Sequence, residues 1–320
     1  MIVKPKILEL GDTIGVISPA SPSYRSSDVI RGVETLKQWG YKVELSKNLN
    51  KTKGFVAGSD EDRANDFNEM FQRKDIDAVF VTQGGYGSAR MVKYIDFEVI
   101  KANPKIFIGF SDITFLHIAI YEKTRMVTFH GPGISRYNLS DLSDYTKHYL
   151  FKALTSLEPI GEIPLSDNKK WINTIYPGIC EGPLVGGNLS LLCSTLGTPY
   201  EIETDGRILF LEELETEPWI IDHMLTHLAN AGKFKNVAGI VVGECVDCKP
   251  NLHNPGYYVD ISLEDLLFEH LAPLEVPVIH GLPIGHTRDI ATLPMGVMAK
   301  LDADNKKFII TESALVRGNK

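Results

Sequence analysis

The stretch Lys105–Tyr121, KIFIGFSDITFLHIAIY, decides the fold: an apolar β-rich run meets a small residue, then a serine, then the apolar positions of a helix. Units of this kind recur upstream. Thr13–Ser18 (TIGVIS) reads as a strand, and Ser27–Trp39 sets Val29, Ile30, Val33, Leu36 and Trp39 on one helical face, with Gly40 as its stop. A strand YKVEL follows, then a polar, glycine-containing loop GFVAGSDEDR, a helix over Ala64–Phe71, and a buried strand Asp77–Thr82 (DAVFVT) that runs into QGGYG. Alternating strands and helices predict a parallel sheet with flanking helices, with the QGGYG and FSD loops together at the carboxyl ends of the strands.

Between Leu157 and Tyr176 the periodicity fades into Pro159, Pro164, Asp167, Asn168 and two lysines. That composition predicts a linker over 158–176, dividing an N-terminal domain (1–157) from a second, C-terminal α/β domain (177–320). The second domain carries a glycine turn and helix in GGNLSLLCSTLG, strands RILFLE, AGIVVG and VPVIHG, and helices opened by Pro218 and by the Ser262–Asp265 capping pair.

With 320 residues, 43% of them hydrophobic, the chain has ample material for two buried cores. A formal charge of -8 with dispersed lysines and arginines excludes a phosphate-neutralising surface, so no nucleic-acid partner is expected. MIVKPKILELGDTIGVIS has charges among its apolar residues and no small-residue cleavage site, and no later apolar run approaches the roughly 18 residues that span a bilayer. The expectation is a cytoplasmic enzyme with no membrane partner; monomer and homodimer both stay open. Four cysteines are too few for a disulfide framework. Cys245 and Cys248 form a CxxC without a second pair, and Cys180 and Cys193 sit among apolar residues and read as core.

Ser111 stands where a strand-to-helix turn would lift a nucleophile toward the free amides of a helix N-terminus. A standard nucleophile elbow has glycine two residues further on, where this chain has Ile113, so helix capping by Ser111 is the competing reading. Gly84, Gly85 and Gly87 could bring backbone amides to a substrate oxygen or simply make a tight turn. Their pattern is neither GxGxxG nor a P-loop.

Serine chemistry needs a base and an acid that orients it. The candidate bases are His117, His130, His223, His227, His253, His270, His280 and His286. His117 and His280 fall in apolar segments, whereas His286 lies in the loop PIGHTRD, just past a strand. Glu212 ends the run RILFLE, with Glu213 its competitor, because strand neighbours point to opposite faces. His223 and His227 are four apart on one helix, but HMLTH lacks the glutamate of HExxH, so no metal is assigned.

With Ser111 in GFSD, Glu212 in LFLEE, His286 in PIGHT and the turns QGGYG and GGNLSLL, the chain resembles the LD-carboxypeptidase family of serine peptidases. The likeness runs from Gly11 to the C-terminal TLPMGVMAKLD. It implies a Ser111–His286–Glu212 triad assembled across the two α/β domains, with the active site between them and no cofactor, and an oxyanion hole from the backbone of Gly85 and Asp112. It also implies release of terminal D-alanine from a murein tetrapeptide during recycling. Gly84, Tyr86 and Asn188 of the glycine turns join the substrate-binding residues in this resemblance. Gln83 stands where arginine commonly precedes the glycine turn, and Trp219, Ile220 and His223 lie where tyrosine and arginine are common. The substrate carboxylate then needs another cation, and Arg90 and Arg288 are the candidates, each with a surface ion pair as its alternative, such as Arg288 with Asp289.

Within the same fold, relatives of the microcin C immunity peptidases cleave aminoacyl-nucleotide amides, and Trp171 is the residue that could stack on a nucleobase. From other classes, a non-catalytic peptide binder and a metallohydrolase built on His223 and His227 are the competing readings.

Overall fold

In a computed structural model describing residues 2–137, 142–167, 171–250 and 260–318, the apolar runs of the first half become parallel strands. These are β1 (Thr13–Ile17), β2 (Lys42–Leu45), β3 (Ala78–Val81), β4 (Ile106–Gly109) and β5 (Thr128–His130). Every residue of β3 and β4 is buried, which explains their unbroken apolar sequence: a covered parallel strand has no polar face to display. The order β2-β1-β3-β4-β5 is completed by an antiparallel edge strand, Leu293–Met295, on β5. Successive connections reverse direction between β1 and β3, so the loops after these two strands flank the point where open α/β sheets take ligands.

The helices of this unit are α1 (Ser26–Gln38), α2 (Asp60–Gln72), α3 (Ser88–Met91), α4 (Phe97–Ala102), α5 (Thr114–Thr124) and α6 (Asp144–Thr155). In α1, Val29, Val33 and Leu36 are buried at helical spacing, but Ile30, expected on the same face, is exposed and Trp39 lies just past the helix end. Ile30 is one position, about 100° of helical rotation, from Val29 and so falls at the margin of the stripe. Helix α2 begins four residues before the expected Ala64 because Ser59 and Asp62 form a reciprocal capping box.

The second unit has its own sheet, formed by β6 (Gly161–Glu162), β7 (Asn173–Tyr176), β8 (Ile179–Asn188), β9 (Ile208–Leu214), β10 (Gly239–Val246) and β11 (Val278–Leu282). After β12, the Leu293–Met295 strand already placed in the first sheet, β13 (Met298–Asp302) and β14 (Lys307–Ile310) complete it. The order is β6-β14-β13-β8-β9-β10-β11-β7, with β8 to β11 parallel and the outer strands antiparallel. Helices α7 (Leu189–Thr195), α8 (Pro218–Asn230) and α9 (Leu263–Leu271) belong to this unit. Pro218 occupies the first turn of α8 and Ser262–Asp265 caps α9, as their spacing predicts.

Two expected boundaries change. The segments Ala291–Gly296 and from Ser313 onward belong to the first unit, so 177–320 is not one continuous domain; Leu293–Met295 is held there by its ladder to Thr128–His130. The expected linker 158–176 contains two strands of the second sheet, β6 paired to β14 and β7 paired to β11. Being edge strands, they tolerate the polar and proline-bearing composition that hid them. Asn168 in that segment and the candidate base His253 lie outside the described residues.

Candidate active site

In the first unit, β4 ends at Gly109 and the chain turns through a short 3-10 segment, Ser111–Ile113, into α5. Ser111 sits in the left-handed region at φ 64°, which costs a non-glycine residue about 1–3 kcal/mol. Neither the 3-10 turn nor α5 receives a side-chain cap, so capping does not account for Ser111. A strained, partly exposed serine at a helix entrance is the arrangement expected of a presented nucleophile.

The glycine turn packs directly against it. A Cβ on Gly84 would lie 2.7 Å from Ser111 Cβ and 3.1 Å from its Oγ, so only glycine permits this approach. Gly85 has φ 108°, and a Cβ there would meet the Ser21 side chain at 2.5 Å. Neither Gly84 nor Gly85 donates its N–H to another described residue. The neighbours are tied: Ser21 N–H donates to Gly84 O (3.3 Å), and Tyr86 N–H to Ser21 Oγ (3.0 Å). Tyr86 is exposed and makes an edge contact with Phe55 at 5.1 Å.

Asp112 proves to have a side-chain task that sequence reasoning missed. Its carboxylate accepts the N–H of Ser88 (2.8 Å), and its carbonyl accepts Ser88 Oγ–H (2.6 Å). Burial raises this carboxyl above its ordinary range, against the lowering effect of those donors. Arg63 was missed as well. It is fully buried and donates from Nη1 to Pro19 O (2.7 Å) and Gly87 O (2.6 Å), while Nη2 pairs with Asp60. The Ser59–Asp62 capping signature would have revealed it, since that signature starts α2 early enough to put Arg63 in its first turn.

In the second unit, β9 delivers Glu212 and Glu213 to opposite faces, and their surroundings separate them. Glu212 is fully buried, and its Oε2 lies 2.7 Å from His286 Nδ1. Gly285 makes this close approach possible, because a Cβ there would come within 2.6 Å of Glu212 Oε2. Glu213 accepts from Asn188 Nδ2 (2.9 Å), Ser190 N–H (2.9 Å) and Ser190 Oγ–H (2.7 Å), and is spent on local structure.

Several candidates have other uses. Asn188 is buried, caps α7 through Leu191 N–H and donates to Glu213, so its amide is engaged by the fold rather than presented to a ligand. Arg90 pairs with Asp60 at 3.2 Å, the ion-pair alternative for that residue. Arg288 is exposed without an ion pair among the described residues, and Asp289 is buried. His117 is buried with Nε2 2.8 Å from Gly109 O, and burial lowers its pKa to about 4. His130 and His280 are also buried, and His270 pairs with Asp222 at 2.6 Å.

His223 and His227 are exposed on α8, and among the described residues no group of three or more His, Cys, Asp or Glu is placed to hold a metal. All four cysteines are free; Cys180 and Cys193 are only partly buried, at the core's margin. Trp171 is exposed, and no helix among the described residues is long and apolar enough to cross a membrane.

Comparison with known proteins adds to this geometry. Residues 14–131 match the LD-carboxypeptidase N-terminal domain, and residues 181–301 match the LD-carboxypeptidase C-terminal domain. A probable murein peptide carboxypeptidase of Bacillus subtilis (strain 168) is 40% identical over 308 residues, covering 96% of this chain and 94% of its own. The solved microcin C7 self-immunity protein MccF superposes with a TM-score of 0.89 at 30% identity, over 98% of this chain and 100% of that one. That protein has also been solved with glutamyl sulfamoyl guanosine. A muramoyltetrapeptide carboxypeptidase from Oxalobacter formigenes superposes with a TM-score of 0.79 at 29% identity, over 94% and 99% of the two chains.

Proposed function

The chain belongs to the LD-carboxypeptidase family of serine peptidases and is a carboxypeptidase hydrolase, and from that premise we propose that it releases the terminal D-alanine of murein tetrapeptides by cleaving their L,D-peptide bond. The observation that carries this reading is the buried 2.7 Å contact between Glu212 Oε2 and His286 Nδ1. A carboxylate at Nδ1 fixes the tautomer that leaves Nε2 basic and stabilises the imidazolium that forms when it takes a proton.

In the proposed reaction Ser111 Oγ attacks the penultimate carbonyl carbon while His286 Nε2 removes its proton. The N–H groups of Gly85 and Asp112 hold the oxyanion, each contributing about 10²- to 10³-fold in rate. The tetrahedral intermediate collapses, His286 returns the proton to the leaving amine, and D-alanine departs. Water, activated by the same imidazole, then hydrolyses the acyl-enzyme. In this reading the reaction needs no cofactor and serves the recycling of murein peptides in the cytoplasm.

Incubating the wild type, Ser111→Ala and His286→Ala with a murein tetrapeptide tests the proposal. D-alanine release by the wild type alone is the expected result; release that survives Ser111→Ala would sink it. A second reading follows from the likeness to MccF, solved with an aminoacyl sulfamoyl nucleoside: cleavage of an aminoacyl-nucleotide amide by the same residues. Faster turnover of such a nucleoside than of the tetrapeptide would favour that reading.

A further inference from the structure

The loops beside Ser111 are held by a buried charge. Arg63 is among the largest fully buried side chains of the described residues, and taking a guanidinium out of water destabilises a fold unless its donors find partners. Here one nitrogen, Nη1, reaches two backbone carbonyls belonging to different loops: Pro19 O, after β1, and Gly87 O, after β3. These are the loops on either side of the point where the sheet reverses its winding. An apolar side chain could fill the same volume, but it could not join the two loops.

The far end of the glycine turn is fixed independently. The Asp112 carboxylate, next in sequence to Ser111, accepts the N–H of Ser88, and the Asp112 carbonyl accepts Ser88 Oγ–H. Gly87 is thus held through its carbonyl by Arg63, and its neighbour Ser88 through its N–H and Oγ–H by Asp112. No side chain at 87 would be tolerated, since a Cβ would lie 2.7 Å from Val56 Cγ1 and 3.0 Å from Arg63 Nη1. With Ser21 holding Gly84 and Tyr86, the N–H groups of Gly84 and Gly85 are left unspent beside Ser111.

We infer that Arg63 is a positioning residue of the acyl-transfer site, acting with Asp112 to hold the Gly84–Ser88 turn so that its unspent amides receive the oxyanion. This rests on the serine reading above. Arg63 touches no reacting atom; it acts by fixing the carbonyl of Gly87, two residues beyond Gly85. Loosening that carbonyl lets the oxyanion donor drift, and the loss falls on the transition state rather than on substrate binding.

The test uses the full chain and a serine-directed phosphonate, whose phosphoryl oxygen needs the same donors. Arg63→Ala is expected to label Ser111 about 10²- to 10³-fold more slowly than wild type, and added methylguanidinium to recover a good part of that rate. Should Arg63→Ala not fold, Arg63→Lys decides: its ammonium keeps the charge but ends short of the Nη1 position, so it cannot keep both carbonyl contacts and the Asp60 pair together. Labelling about tenfold slower is expected, with tetrapeptide kcat falling by the same factor and KM nearly constant. Folded Arg63→Lys that labels at the wild-type rate overturns the inference alone. A wild type that does not label overturns the serine reading and the inference together.

Discussion

Glu212 Oε2 and His286 Nδ1 lie 2.7 Å apart although 74 residues separate them in the chain, whereas the adjacent carboxylate of Glu213 is taken up by Asn188 and Ser190. Glu212→Gln removes the charge that supports the imidazolium and offers Nδ1 the wrong hydrogen-bond partner. Turnover should fall by about 10³- to 10⁴-fold with KM little changed. Glu213→Gln should instead cost roughly 2–3 kcal/mol of stability, by confronting buried N–H donors with an amide, and leave kcat of the folded fraction nearly intact. Steady-state kinetics and urea unfolding on both variants check this; the reverse assignment of effects would transfer the orienting role to Glu213.

The left-handed backbone of Ser111 is a stability prediction. Glycine accepts that conformation and alanine does not, so Ser111→Gly should be about 1 kcal/mol more stable than Ser111→Ala, while neither is labelled by a phosphonate. Equal urea midpoints for the two would show that the turn stores no strain.

Arg90 and Arg288 part company in the structure. Arg90 already pairs with Asp60, so Arg90→Ala should move tetrapeptide KM by less than about threefold. Arg288 is exposed without such a partner among the described residues, and as a clamp for the terminal carboxylate its loss should raise KM about tenfold. Unchanged KM in Arg288→Ala removes it from substrate binding.

His117 makes folding pH-dependent. Burial lowers its pKa to about 4, whereas the unfolded chain takes up the proton near 6.5. A base whose folded pKa is depressed contributes stability above the unfolded pKa that is lost as pH falls toward the folded one. Between pH 6.5 and 4 this group should remove roughly 3 kcal/mol. Urea unfolding at pH 7 and pH 4.5 measures the loss, and His117→Gln should flatten it. An equal slope in that variant would assign the acid sensitivity to other groups.

Local sequence was enough for features governed by local physics. Unbroken apolar runs marked β3 and β4, proline at the first turn marked α8, and a serine between a strand and a helix marked Ser111. Three other features depended on contacts remote in the chain. β12 joins the first sheet through a ladder to β5, far upstream, and so no composition shift announces it. Arg90 and Asn188 are polar residues beside glycine turns, and only their partners Asp60 and Glu213 show that they are already engaged. Glu212 and Glu213 are equivalent in sequence; the pleat sends them to opposite faces, and what each face meets decided which one bonds His286. Arg63 shows the same division most sharply, because a charged residue in a polar stretch is expected at the surface, and only the tertiary fold supplies two backbone carbonyls that reward burying it.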